Sequence, residues 1–178
     1  MVANANPMMI VGCGNPDAGD DSVGLEIVRR LREQGDCGCD LRAERAPGVD
    51  LLDLFPLADV ILFVDAVVGG GAPGSIHLTS LPSGELEPRA LGSLSSHGWG
   101  VGEVVKLANA LGRPVPRLYL LGIEAGTVAA GAPRSAAVEE AIALVVERVS
   151  ALRLLLLTSE VLSTRSFHPN DHSFPGPV

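Results

Sequence analysis

The sequence predicts a three-layer αβα fold, in which helices cover both faces of an open, twisted and mostly parallel sheet of about five strands. Short apolar segments alternate along the chain with segments of helical periodicity, which is typical of this α/β class. The clearest strand, 60–67, is almost continuously apolar, as expected for a strand covered on both faces. The 178 residues are 47% hydrophobic but only 3% aromatic, which suits one domain with an aliphatic core.

Each predicted element rests on a local signal. An apolar run ended by Gly12 predicts the first strand, and apolar residues at helical spacing up to Gly35 predict the first helix. Pro133 is placed in the first turn of the last helix, where its missing N–H costs nothing. The predicted strands are 8–12, 39–44, 60–67, 75–80 and 117–123. The predicted helices are 23–34, a brief helix at 49–54, 99–111 and a long amphipathic helix at 135–157.

The chain is predicted to form one domain over residues 1–157, followed by a mobile tail at 158–178. The tail has no periodicity and carries three prolines. The longest apolar segment, 141–157, is interrupted by charged residues and falls short of a membrane span. Residues 1–7 have neither the basic nor the apolar region of a signal peptide, so we expect a cytoplasmic, monomeric protein that binds no membrane.

Charge and cysteine content exclude some functions. The net charge of −8 argues against a nucleic-acid-binding protein, because phosphate recognition needs clustered Lys and Arg. Cys37-x-Cys39 has no second Cys or His pair that would complete a metal site, so these residues are interpreted as reduced thiols. Cys13 lies inside a glycine turn and is interpreted as a small packing residue rather than a nucleophile.

Three polar side chains follow predicted strands or precede a helix, and they form a candidate site. Asp21 follows the first strand, Asp65 ends the third, and His97 precedes a helix. Because ligands gather at the carboxyl ends of parallel strands, we expect these three residues to converge there. Two carboxylates and an imidazole suit either a divalent transition metal with open positions or general acid–base catalysis. Asp20 is interpreted as the N-cap of the first helix.

Other motifs carry weaker signals. Gly12-Cys13-Gly14 is a poor dinucleotide fingerprint, because Asp17 stands where the third glycine belongs and carboxylates would face the pyrophosphate. His77 lies in an alternating strand, where it faces solvent or a partner. His168 and His172 have metal-binding spacing only in a helix, which Pro169 disfavours.

Taken together, the motifs resemble those of the maturation endopeptidases of NiFe hydrogenases. The resemblance runs from about residue 8 to 157. The sequence departs from the family pattern at two places. After the second strand the family usually has an Asp and a Gly-Gly-Thr segment, of which the 43–48 segment keeps only Gly48. Gly98 replaces the polar residue that usually follows the His. The matching motifs are Gly12-x-Gly14-Asn15, Asp20-Asp21-x-x-Gly24, the strand ending at Asp65, Ser95-Ser96-His97-x-x-Gly100 and Gly122-Ile123-Glu124.

This resemblance implies an endopeptidase that removes a short C-terminal extension from a hydrogenase large-subunit precursor after nickel insertion. It also implies that Asp21, Asp65 and His97 contact the nickel, which the precursor carries. Three alternatives stay open. One is a plain structural domain whose acidic pair only caps a helix, and another is a non-catalytic nickel-recognising maturation chaperone. The third is a hydrolase similar to peptidyl-tRNA hydrolases, which share the start Gly12-x-Gly14-Asn15-Pro16 but need a basic tRNA channel that the net charge of −8 disfavours.

Overall fold

A six-stranded sheet forms the centre of the protein, which a computed structural model describes over residues 7–45, 48–81, 101–158 and 165–167. The strand order is β2-β1-β3-β5-β4-β6. The first four strands in this order are parallel, whereas β4 is antiparallel to both β5 and β6. The predicted α/β class is therefore confirmed. The strands are β1 (Met8–Cys13), β2 (Asp40–Glu44), β3 (Val60–Val67), β4 (Ile76–Leu81), β5 (Arg117–Glu124) and β6 (Arg165–Phe167).

Helices cover both faces of this sheet, as predicted. One apolar core lies between the sheet and the helices α1, α3 and α4, and contains Ile27, Ile142 and Leu152. The second core lies on the opposite face, where α2 and two 3-10 turns pack against Phe63 and Leu118. The helices are α1 (Val23–Gln34), α2 (Val101–Ala110), α3 (Ala136–Glu147) and α4 (Val149–Thr158), and the two 3-10 turns are Val49–Asp53 and Phe55–Leu57.

Several predicted boundaries are wrong. The long helix expected at 135–157 is two helices with a break at Arg148, which the helical spacing of the apolar residues did not reveal. Pro133 lies outside α3, because Ser135 is the N-cap and its Oγ accepts a hydrogen bond from Val138 N at 3.4 Å. The brief helix at 49–54 is instead a pair of 3-10 turns, the second of which contains Pro56 near its start.

The region after α4 adds one strand to the sheet. The three residues of β6 lie within the segment predicted as a mobile tail, and they pair with β4. The predicted strand count of about five is therefore exceeded by one short edge strand. Within the described ranges, none of the helices has the length and apolarity that crossing a bilayer requires.

Glycines let β1, β3 and the start of α1 approach each other closely. A Cβ at Gly12 would overlap with the carbonyl group of Gly24, and a Cβ at Gly24 would overlap with the carbonyl oxygen of Val64. Gly14 has a φ of +131°, and a side chain there would collide with the backbone of Asp21. These contacts hold the 3-10 turn Gly19–Ser22, which leads into α1, against the end of β1.

Ion pairs join α1 to the start of α3. Glu26 is buried and accepts hydrogen bonds from Arg29 at 2.8 and 2.7 Å and from Arg30 at 2.7 Å. Arg30 and Arg134 both reach Glu139, which lies in the first turn of α3. The hydrogen bonds from Arg29, followed by the one from Arg30, lower the pKa of Glu26 to about 2 against the opposing effect of burial. The network therefore fixes α3, and the loop before it, relative to α1.

Candidate functional site

Acidic side chains cluster where the parallel strands end. Glu44 ends β2 and is paired in register with Cys13 at the end of β1, while Asp65 lies near the end of β3 and Glu124 ends β5. Because neighbouring parallel strands finish at the same edge, these groups share one side of the molecule. The topology therefore produces the convergence that the sequence predicted for the first and third strands.

Asp21 is partly buried in the 3-10 turn Gly19–Ser22 that leads into α1. Its Oδ2 accepts a hydrogen bond from the backbone N–H of Asn15 at 2.9 Å. The positive φ of Gly14 makes the turn after β1 tight enough for this N–H to reach the carboxylate. The backbone after the glycine turn thus donates a hydrogen bond to an acidic side chain.

Asp65 is the acidic residue that interrupts the apolar strand β3. Its Oδ1 accepts a hydrogen bond from the N–H of Ala66 at 2.9 Å. Burial raises the pKa of Asp65 to about 7, and the negative charge of Asp21 contributes in the same direction, against that hydrogen bond. The structure therefore places Asp21 close enough to Asp65 for its charge to act on that carboxyl group, and a pKa of about 7 leaves Asp65 partly protonated near neutral pH.

The predicted third member of the site, His97, lies outside the described residues, as do His168 and His172. The sequence-based assignment of His97 stays a prediction. Over the described ranges, no group of three or more His, Cys, Asp and Glu side chains is arranged to hold a metal ion. Two of the three predicted site residues are thus described, and both are carboxyl groups.

Asp20 does not cap the first helix, so that interpretation is wrong. The side chain is completely buried, and neither the 3-10 turn nor α1 has a side-chain cap. The Asp20 carboxylate instead accepts hydrogen bonds from Gly126 N (2.8 Å), Thr127 N (3.0 Å), Ser135 N (2.6 Å) and Ser135 Oγ (2.9 Å). Burial alone would raise the pKa of Asp20, but these four hydrogen bonds together lower it.

Cys13 packs in the apolar core beneath the site, as predicted. The residue is 2% exposed, and its Sγ lies 3.8 Å from the carbonyl oxygen of Val11. Burial, together with the charges of Asp65 and Glu44, raises the pKa of the thiol well above its ordinary value. A thiol that stays protonated is a poor nucleophile, so the site offers carboxyl chemistry rather than thiolate chemistry.

Glu124 is a buried acidic residue whose function the sequence pattern did not reveal. Its Oε1 accepts hydrogen bonds from Gly69 N at 2.6 Å and from Gly71 N at 3.0 Å. Its Oε2 lies 3.4 Å from Nε2 of His77, so His77 faces a carboxylate of the same chain. Glu124 therefore holds the glycine-rich loop that follows β3. The sequence signal that could have identified Glu124 is an acidic residue at the end of the apolar strand β5.

Replacing Glu124 with alanine is expected to lower the free energy of unfolding by roughly 1–3 kcal/mol, because the N–H groups of Gly69 and Gly71 lose their acceptor. Urea unfolding at neutral pH measures this change. Glu140→Ala, at an exposed position of α3, is the matched control and is expected to change stability by less than about 0.5 kcal/mol. Equal stabilities of the two variants would contradict the assigned role.

Comparison with known proteins identifies one matching family. The family model described as HycI, hydrogenase maturation protease, matches residues 46–152, which is more than half of the chain. The search of curated proteins gave no significant match.

Solved structures of hydrogenase maturation proteases share the fold. HycI from Thermococcus kodakarensis, a NiFe hydrogenase maturation protease, is 22% identical with a TM-score of 0.66, over 86% of this chain and 95% of that one. The maturating endopeptidase HybD from E. coli is 22% identical with a TM-score of 0.68, over 90% and 96%. A hydrogenase 2 maturation peptidase from a Thaumarchaeota archaeon is 24% identical with a TM-score of 0.59, over 81% and 95%.

Proposed function

Because the chain belongs to the hydrogenase maturation protease family, we propose that it removes the C-terminal extension from the large-subunit precursor of a NiFe hydrogenase after nickel insertion. The observation that supports this proposal is the pair formed by Asp21 and Asp65 at the carboxyl edge of the sheet. This pair can bind a cation or transfer protons, and both abilities serve the hydrolysis of a peptide bond.

The nickel in this proposal is part of the substrate. Asp21, Asp65 and His97 would contact the ion that the precursor carries, and its presence would tell the enzyme that the precursor is ready for cleavage. The chemistry of the described residues fits this role, because a divalent cation relieves the repulsion between two neighbouring carboxylates. Burial makes an uncompensated charge on Asp65 costly, so an arriving cation would be favoured there.

The two carboxyl groups also suit the proton transfers of hydrolysis. Cleavage of an amide needs a base for the attacking water and an acid for the departing amine. Asp21 is partly exposed and suits the base. Asp65, whose pKa is raised to about 7 mainly by burial, keeps a proton in much of the population at neutral pH and suits the acid.

Precursor processing tests the proposal. A nickel-loaded large-subunit precursor is incubated with the wild-type protein and with Asp21→Asn, Asp65→Asn and His97→Ala, and mass spectrometry follows the loss of the C-terminal peptide. We expect each variant to process the precursor at least about 100-fold more slowly, which is the usual cost of losing an acid–base group. Asp17→Asn removes an exposed carboxylate from the same loop and serves as the matched control with full activity.

The outcomes separate the candidate functions. If the wild-type protein binds the precursor and releases it uncut, the result would contradict protease activity and support a nickel-recognising chaperone. Full activity in all three variants would contradict the site assignment while leaving the protease activity in place. Precursor cleavage that proceeds equally well without nickel would contradict the proposed recognition of the metal.

A further inference from the structure

Asp20 joins two loops that are far apart in sequence. The first is the 14–22 segment between β1 and α1, and the second is the 125–135 loop between β5 and α3. The Asp20 carboxylate accepts four hydrogen bonds from the 125–135 loop, and its own N–H donates to the carbonyl oxygen of Thr127 at 2.8 Å. The N–H of Gly131 donates to the carbonyl oxygen of Asp17 at 2.6 Å. The two loops therefore behave as one unit.

The backbone approach at this junction is also close. Gly19 has a φ of +56°, and a Cβ there would lie 2.8 Å from the carbonyl oxygen of Thr127. Ser22 Oγ donates to the carbonyl oxygen of Gly19 at 2.6 Å and accepts a hydrogen bond from Arg134 at 3.1 Å. Contacts at both ends of the 3-10 turn thus hold it against the 125–135 loop.

The geometry of a 3-10 turn connects Asp20 to its neighbour. With three residues per turn, successive side chains point about 120° apart around the axis. Once the carboxylate of Asp20 is held by the 125–135 loop, Asp21 must project in another direction. That direction leads to the N–H of Asn15 and to the vicinity of Asp65.

We propose that Asp20 is a positioning residue, which directs Asp21 toward Asp65 by anchoring the 3-10 turn to the 125–135 loop. Its effect on catalysis rests on the proposed function, whereas its effect on the position of Asp21 does not. The advantage is preorganisation, because an acidic group that is already in place needs no rearrangement when the precursor binds.

Asp20→Asn is the decisive variant. The amide has nearly the same size, but in either orientation its NH₂ group would face at least one donor: Ser135 N at the Oδ1 position, or Gly126 N, Thr127 N and Ser135 Oγ at the Oδ2 position. Ser135→Ala removes one of the four donors and gives a milder second variant, should Asp20→Asn fail to fold. Ile142→Val, in the buried part of α3, is the control for a loss of stability without a change at the site.

Two measurements test the proposal. The first is processing of the nickel-loaded precursor, expressed as kcat per folded molecule and as KM. We expect Asp20→Asn to lower kcat about 10–100-fold, Ser135→Ala about 2–10-fold, and KM to change less than about threefold in both. The second is the ¹⁵N-resolved amide signal of Asn15, which reports the hydrogen bond to Asp21 without any substrate. In Asp20→Asn, we expect the chemical shift of this amide signal to change and its protection from hydrogen exchange to be lost.

The control variant decides between positioning and simple structural support. Ile142→Val is expected to lower stability while keeping the wild-type kcat per folded molecule and the wild-type Asn15 signal. An Asp20→Asn protein that behaves in the same way would overturn the proposal. If Asp20→Asn does not fold, a Ser135→Ala protein with the wild-type kcat and the wild-type Asn15 signal would overturn it. A wild-type protein without processing activity would contradict the proposed function alone, because the Asn15 signal still tests the anchoring.

Discussion

Replacing Gly24 with alanine is expected to lower the free energy of unfolding by roughly 3–4 kcal/mol, at the upper end of what overpacking costs. The added Cβ would overlap with the carbonyl oxygen of Val64 and would lie 2.5 and 2.6 Å from the carbonyl oxygen and nitrogen of Cys13. All three are backbone atoms of sheet strands, so no side chain can rotate away. The helix α1 would have to move off the sheet, and the 3-10 turn that carries Asp21 would move with it.

Chemical denaturation of the Gly24→Ala protein measures this loss. Gly69→Ala is the matched control, because a Cβ there has ordinary contacts with the nearest atom, Oε2 of Glu124, at 3.4 Å. The control is expected to stay within about 0.5 kcal/mol of the wild-type protein. A Gly24→Ala protein as stable as this control would show that the close approach of β1, β3 and α1 is not needed for folding.

Replacing Asp65 with asparagine is expected to stabilise the protein at pH 8 while abolishing processing. The pKa of Asp65 is raised from 3.8 to about 7, chiefly by burial and further by Asp21. Between these two values the folded state holds a proton that the unfolded chain has released. Stability therefore falls as pH rises through this window. Asparagine keeps the oxygen that accepts from Ala66 but carries no charge, so this loss disappears.

The size of the effect follows from the shift. Each pKa unit corresponds to about 1.4 kcal/mol, so a shift of this size allows a gain of roughly 2–4 kcal/mol at pH 8 and almost none at pH 4. Urea unfolding at pH 4, 6 and 8 in the presence of a chelator measures it. Asp50→Asn, at an exposed position, is the control and is expected to follow the wild-type curve. Parallel stability curves for Asp65→Asn and the wild-type protein would contradict the raised pKa.

A gain in stability combined with a loss of processing would mark Asp65 as a residue kept for function. A buried charge within an apolar strand weakens the fold unless it is compensated. Active sites commonly retain such groups, since their altered proton affinity is what the chemistry needs. The same variant therefore reports on the stability of the fold and on the role of the site.

The sequence predicted much of the framework because the relevant signals are local. The apolar run of β3, the alternation in β2 and the glycine that ends α1 each fall within a few residues of the element they define. Asp65 was identified for the same reason, since a charge within an apolar strand is visible in the sequence. His97 was selected from its place before a helix and stays a prediction.

The break at Arg148 could not be predicted, because buried residues continue at helical spacing across it. Val145, Val146, Val149 and Leu152 all face one core. A backbone irregularity that leaves the apolar face intact produces no change in the hydrophobic pattern. The 3-10 turns found in place of the helix expected at 49–54 could not be predicted either. Over so few residues, the spacing of apolar side chains does not distinguish a 3-10 helix from an α-helix.

By itself, the sequence determined that two adjacent aspartates follow the first strand and that Asp65 lies near the end of the third. Only the tertiary structure decided that the Asp20 carboxylate accepts hydrogen bonds from the 125–135 loop instead of capping α1, and that Asp21 accepts one from the N–H of Asn15. The donors to Asp20 lie 106 to 115 positions away along the chain, beyond the reach of any local pattern. The raised pKa of Asp65 likewise depends on burial between neighbouring strands. Hydrogen bonding and desolvation are set by groups that meet only in the folded chain, which is why the same residue type takes three different roles here.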